Sequence, residues 1–202
     1  SGLIQKGVKI FIVSHIPESC IELQNKVCFL IVQDTLKALQ KLATYHREQF
    51  QLPVIGITGS NGKTIVKEWL YQLLKSDYNI ARSPKSYNSQ VGVPLSVWQI
   101  NNKHTLGIFE AGISEVGEMN LLREIIKPTI GVFTSLGSAH DEGFKNSSEK
   151  LKEKLQLFQN TETVIVNALS LKKEHIELLN QHTFLISKSE YATLQILEIE
   201  NL

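Results

Sequence analysis

The sequence predicts an α/β protein built on a parallel sheet with helices on both faces. Three observations carry that expectation. Strand-like runs recur at residues 54–58, 78–82, 106–110, 130–134 and 163–166, and segments of helical spacing separate them. The first run leads straight into a turn with two glycines, Gly59-Ser60-Asn61-Gly62, directly ahead of a helical segment. Strands alternating with helices imply parallel pairing, because each crossover helix must pass over one face of the sheet.

In chain order, residues 8–13 and 26–32 are short β-rich runs. Residues 34–50 read as a helix, with Leu36, Leu39, Leu42 and Ala43 at helical spacing and Asp34 as its N-cap. Gln51-Leu52-Pro53 breaks it and sets a domain boundary: residues 1–50 form the remainder of a preceding domain with a linker helix, and 51–202 the main unit. After the strand at 54–58, Ile65, Val66, Trp69, Leu70, Leu73 and Leu74 predict the apolar face of a helix. Residues 93–100 form a short helix. Met119, Leu122, Ile125 and Ile126 line another, which Pro128 ends. A helix over 147–158, a further helix over 171–180 and a strand at 183–186 complete the pattern.

Bulk composition excludes several classes. With 202 residues, 42% hydrophobic and 20% charged, the chain can bury a sizeable core. Lys plus Arg number 21 against 20 Asp plus Glu, so no excess charge points to nucleic acid or an anionic membrane surface. No apolar run approaches the roughly 18 residues of a membrane helix. Cys20 and Cys28 have no metal-type spacing and read as reduced thiols of a cytoplasmic protein. Ser1-Gly2-Leu3 and Ile199-Glu200-Asn201-Leu202 read as edges within a longer protein.

In a sheet of this kind ligands bind beyond the carboxyl ends of the strands. The residues leaving those ends are Gly59 to Thr64, then Ser83, Glu110 and the loop carrying His140. A phosphate-holding loop needs inward backbone N–H groups, glycines for the tight path, and a helix N-terminus behind it. Thr58, Gly59, Ser60, Asn61, Gly62, Lys63 and Thr64 meet that description. Lys63 would reach the terminal phosphates of ATP, and Thr64 would offer its hydroxyl to Mg²⁺. The match to G-x-x-x-x-G-K-[ST] is incomplete, since Ile57 stands at the first position and Gly56 lies one residue early. A glycine-rich turn with a solvent lysine is the alternative.

The loop resembles the T-G-[ST]-N-G-K-[ST] segment shared by Mur ligases and folylpolyglutamate synthetases. Other segments resemble the Mur ligase family, and within it the members that add D-alanyl-D-alanine to a UDP-MurNAc-tripeptide. Tyr87-Asn88-Ser89-Gln90-Val91-Gly92-Val93-Pro94 is similar to N-N-[ED]-I-G-V-P, and Glu110 through Gly117-Glu118-Met119 to E-x-G-x-x-x-x-G-E-[IM]. Ala139-His140-Asp141-Glu142-Gly143-Phe144 resembles A-H-L-E-G-F, and Lys154 precedes Phe158 by four residues as in A-K-G-E-I-F. Ser89, Gln90 and Glu153 depart from those patterns. The likeness covers residues 30–167 well. Segments 86–90 and 153–158 resemble ligases fused to alanine racemase, although nothing here resembles the racemase itself.

The resemblance implies a P-loop central domain of a Mur ligase, with residues 1–50 left from a UDP-binding domain. The implied chemistry is ATP-dependent: a carboxylate becomes an acyl phosphate, and an amine displaces phosphate. ATP, Mg²⁺, UDP-MurNAc-tripeptide and D-Ala-D-Ala are the implied small molecules, and this span is expected to bind nucleotide without completing ligation. A folylpolyglutamate synthetase-like activity and a non-catalytic nucleotide-binding module are the competing readings.

Glu110 ends an apolar strand, where an unpaired carboxylate is costly, and suits a hard cation; a salt-bridged or capping Glu is the alternative. Ser83 resembles a hydroxyl ligand of related synthetases, or is a turn serine before Pro84. His140 would bind a second metal or approach the terminal phosphate, or be a hydrogen-bonded loop residue. Asn88 would hold the loop or the substrate, or stabilise a turn. Lys154 falls inside the apolar arc of Leu151, Leu155, Leu157 and Phe158, and Lys150 borders it. Lys154 either snorkels or, as the resemblance implies, carries a CO₂-derived carbamate that serves as a metal ligand.

Overall fold

The computed structural model describes residues 2–137, 143–167, 171, 173–176, 179, 182–187 and 194–195. The described elements, in chain order, are α1 (Gly2–Gln5), β1 (Ile10–Val13), a 3₁₀ helix (Glu18–Asn25), β2 (Cys28–Ile31), α2 (Thr35–Glu48), β3 (Val54–Thr58) and α3 (Lys63–Leu74). Then come β4 (Ile80–Arg82), α4 (Gly92–Val97), β5 (Leu106–Glu110), α5 (Glu118–Ile126), β6 (Ile130–Phe133), α6 (Ser147–Leu155) and a 3₁₀ turn (Gln156–Phe158). β7 (Thr163–Asn167), α7 (Lys173–Ile176), β8 (His182–Ser187) and β9 (Leu194–Gln195) follow.

β3 to β9 form one seven-stranded sheet in the order β4-β5-β3-β6-β7-β8-β9, and every pairing is parallel. β1 and β2 make a separate parallel pair. The chain leaves β3 towards β4 on one side and leaves β6 towards β7 on the other, so a crevice opens between the carboxyl ends of β3 and β6.

The buried strands β3 and β5 split their side chains between two cores, as period-2 geometry requires. Val54 and Phe109 join the larger core with α2, α4, α5 and the turn after α6. Ile55, Ile57, Leu106 and Ile108 face Val66, Leu70 and Leu74 of α3. The predicted face of α3 is therefore divided: Val66, Leu70 and Leu74 meet the sheet, while Ile65, Trp69 and Leu73 are exposed. One helix on a sheet can bury only a stripe, and six apolar positions exceed it.

A similar correction applies to α2. Asp34 caps it, its carboxylate accepting from Lys37 N at 3.0 Å, but Leu36 and Leu42 are exposed, and the buried side chains are Gln40, Ala43 and Arg47. Arg47 donates to the carbonyls of Ile126, Phe50, Leu52 and Lys127. It thereby caps the C-terminus of α5, where a cation is favoured, and fastens α2 to the main unit.

One close approach sets the height of α6. Gly56 and Gly131 are register partners on β3 and β6. A Cβ on Gly131 would lie 2.3 Å from the Phe158 ring. The bare backbone admits that ring, and Phe158 is fully buried on it. Gly131→Ala should therefore destabilise the fold by about 1–3 kcal/mol through overpacking. Urea unfolding measures it, and in a Phe158→Leu background the added cost should shrink. An equal cost in both backgrounds would refute the contact.

Candidate functional site

The exit of β3 runs against the exit of β6. Gly59 has φ +141°, and a Cβ there would sit 2.0 Å from Thr134 Oγ1 and 3.0 Å from Ser135 N. Ser60 N donates to Ser135 O at 2.7 Å, and Ser60 Oγ donates to Gly137 O at 3.1 Å. Thr134 Oγ1 donates to Asn61 O at 2.6 Å. Gly62, in the left-handed region at φ +82°, caps α3 without a side chain. The turn is thus braced by one main-chain bond and two hydroxyl-to-carbonyl bonds, and α3 begins directly after it.

Lys63 lies back across this turn. Its Nζ donates to Gly59 O at 2.9 Å and to Ser60 O at 3.3 Å, so a phosphate must displace these carbonyls to engage it. Burial lowers its pKa, Glu110 opposes that shift, and Lys150 adds to it.

Glu110 is fully buried at the end of β5, level with Ile57 of β3. Its Oε2 accepts from Thr64 Oγ1 at 3.0 Å, and its backbone N donates to Ser83 Oγ at 3.2 Å. Three of the residues predicted to hold Mg²⁺, Thr64 of α3, Ser83 just after β4 and Glu110 of β5, are therefore joined through Glu110. Glu110 Oε1 accepts no hydrogen bond among the described residues. Lys67 Nζ is 3.0 Å from it, at ion-pair distance, but that ammonium directs its N–H groups at Ser83 O and Lys85 O. A buried carboxylate oxygen short of donors, beside a hydroxyl and among hard oxygen groups, fits a magnesium ion.

Lys154 does not snorkel. It is 2% exposed, and its Nζ lies 3.5 Å from Gly59 O. Burial, then the charges of Lys63 and Lys150, pushes its pKa down to about 8. Lys150 is 1% exposed and donates to Gly137 O at 2.7 Å, so both lysines of the arc point into the site. Glu153 turns the other way and accepts from Gly117 N at 2.9 Å and Met119 N at 3.1 Å, capping α5.

The loop after β5 is shaped by Glu118, whose carboxylate accepts from Ser114 N and Glu115 N. Asn88 O accepts from Gly112 N at 2.8 Å, with the Asn88 side chain packed over Gly112. Asn88 thus supports the loop after β5. His140 lies outside the described residues. On either side of it in sequence, Gly137 contacts the phosphate loop and Gly143 lies against Ser114 O.

Sequence reasoning did not select Lys67, although it sits three residues before Leu70 on the buried side of α3. A lysine on that arc was the available signal. The helical wheel alone does not choose between Lys150 and Lys154, and only the spacing to Phe158 selects Lys154.

The model of the Mur ligase middle domain matches residues 57–200. The chain belongs to the Mur ligase family. A UDP-N-acetylmuramoyl-tripeptide–D-alanyl-D-alanine ligase of Borreliella burgdorferi is 38% identical over 173 residues, which cover 83% of this chain and 37% of that protein. One of the same name from Treponema pallidum is 37% identical over 130 residues, 64% of this chain and 28% of the relative. A solved MurF from Acinetobacter baumannii superposes with TM-score 0.81 at 25% identity, covering 94% of this chain and 42% of that one. A folylpolyglutamate synthetase mutant of L. casei shares the fold at TM-score 0.60 and 12% identity, covering 78% of this chain and 50% of that one. The chain spans well under half the length of the Mur ligase relatives named.

The depressed pKa of Lys154 has a stability consequence with a definite sign. Between about pH 8 and the ordinary lysine value of about 10.4, the unfolded chain holds a proton that the folded chain has released. Stability therefore rises with pH through that window. Relative to Lys154→Met, the wild-type protein should gain on the order of 2 kcal/mol across it, read from urea unfolding at fixed ionic strength. Parallel curves for the two proteins would contradict the burial of a strained ammonium.

Proposed function

We propose that this chain is the ATP-binding core of a ligase that joins D-alanyl-D-alanine to a UDP-MurNAc-tripeptide through an acyl phosphate. The observation that carries it is the meeting, at one sheet edge, of a braced phosphate loop, the Thr64–Glu110 pair and the lysines 63, 150 and 154. The named relatives supply the substrate class. Since the chain spans only part of their length, ligation is assigned to the intact protein.

In this reading Lys63 exchanges the Gly59 and Ser60 carbonyls for terminal phosphate oxygens. Thr64 and Glu110, with Ser83 beside them, hold Mg²⁺, which when bound neutralises charge on the phosphates. Lys154 has a pKa of about 8, so part of the population is neutral amine near pH 7.5. That amine can attack CO₂ and release a proton to give a carbamate, the form in which Lys154 serves as a further oxygen ligand. His140 completes the reading as a group for a second cation or the terminal phosphate. Asn88 holds the loop after β5 against the substrate side. A nucleotide-linked substrate and ATP suit a reaction in the cytoplasm, and fusion to an alanine racemase would supply D-alanine close by. Among the described residues no helix is long and apolar enough to cross a membrane.

The test is phosphate release by the intact protein with ATP, Mg²⁺ and UDP-MurNAc-tripeptide. Turnover should depend on D-Ala-D-Ala. Dependence on L-glutamate and a folate instead would transfer the protein to the synthetase reading, and no turnover with either would leave a nucleotide-binding module. Lys63→Ala should lower kcat by about 10²–10³, the usual effect of removing one donor aimed at transition-state charge.

A further inference from the structure

The carboxylate best placed for a divalent cation is already neutralised from behind. Lys67 and Glu110 are both fully buried, with Lys67 Nζ 3.0 Å from Glu110 Oε1. The same ammonium donates to Ser83 O at 2.9 Å and to Lys85 O, and lies 3.2 Å from Glu68 Oε1. Glu68 is in turn paired with Arg82. The two carboxylates and two cations of this cluster sum to zero charge. The opposite oxygen of Glu110 is held by the Thr64 hydroxyl. Among the described residues no group of three or more His, Cys, Asp or Glu side chains could hold a metal ion.

Magnesium gives up its water reluctantly and is held mainly where negative charge accumulates. Among the described residues, and before any modification of Lys154, the pair offers it one neutralised carboxylate and the Thr64 hydroxyl, with the Ser83 hydroxyl beside them. We propose that Lys67 is a positioning residue that makes cation binding at Thr64 and Glu110 conditional on nucleotide. Without a polyphosphate, Lys67 balances Glu110 and the site has no net attraction for a divalent ion. With a polyphosphate in the loop, the phosphates supply the missing charge. Lys67 Nζ stays at ion-pair distance from Oε1, which holds the carboxylate in one orientation with Oε2 on the Thr64 side. The ties to Ser83 O and Lys85 O hold the exit of β4 in the same place. This proposal rests on the reading of Thr64 and Glu110 as a cation pair.

Mn²⁺ replaces Mg²⁺ in the test, and the free ion is counted by electron paramagnetic resonance with the intact protein, with and without a non-hydrolysable ATP analogue. The wild type should take up Mn²⁺ only with the analogue. Lys67→Gln keeps an N–H donor for the Ser83 carbonyl but removes the charge. It should bind Mn²⁺ without nucleotide about tenfold or more tightly than wild type, and adding Glu110→Gln should abolish the gain. Nucleotide-free affinity unchanged in Lys67→Gln, with analogue-dependent uptake intact, would overturn the proposal and leave the cation pair standing. No uptake by wild type even with the analogue would overturn the cation pair itself. Lys67→Met provides a second charge-free variant. If neither folds, with Mn²⁺ or without, the ammonium is a structural pin and the proposal falls.

Discussion

The site depends on one steric constraint: nothing larger than hydrogen fits at position 59. The exit of β3 lies so close to the exit of β6 that a Cβ on Gly59 would overlap Thr134 Oγ1. That contact lets Ser60 and Asn61 bond to Ser135 and Thr134, which converts a flexible turn into a braced cradle. It also brings the loop after β6, with Gly137, within reach of Ser60 and Lys150. Without it, the phosphate loop and the groups carried by α6 would occupy separate surfaces.

The cradle carries uneven charge. Lys63, Lys150 and Lys154 crowd one side, where the loop carbonyls of Gly59, Ser60 and Gly137 soak up their N–H groups. On the other side Glu110 is matched by Lys67. Burial first, and then the neighbouring ammonium groups, lower the pKa values of Lys63 and Lys154, with Glu110 opposing the shift at Lys63. An entering polyanion would offset these charges, so the arrangement suits a polyphosphate.

Much of this was legible in the sequence, and the limits have physical causes. Six of the seven main-sheet strands and the helix after the glycine turn could be read because β-branched runs, helical spacing and glycine pairs are local signals. The Thr64–Glu110–Ser83 meeting also followed from one rule, that parallel strands deliver their exits to a common edge. What could not be read was which apolar residues face inward. On α3 six apolar positions compete for a stripe that holds three, and only the sheet decides between Val66 and Ile65. On α2 the buried face includes Gln40 and Arg47, whose partners, Gln90 and the carbonyl of Ile126, are distant in sequence. Lys67 was hidden for the same reason. A lysine on a helix reads as solvent-facing until the carboxylate opposite it is known.

The spacing between Lys154 and Phe158 shows how a motif can encode a height above a sheet. Phe158 is seated on the bare backbone of Gly131, beside the Gly56 register partner. The strand β3 that carries Gly56 reaches Gly59 three residues later. Four residues back from Phe158, about one helical turn, the chain presents Lys154 to the Gly59 carbonyl. The sheet and the helix thus climb together from a shared anchor to a shared endpoint. Glu153 clamps this arrangement laterally by binding the N–H groups that open α5. A residue that departs from the family pattern therefore acquires a structural role of its own. It fixes the rotation of α6, so that of two adjacent side chains the carboxylate faces α5 and the amine faces the phosphate loop.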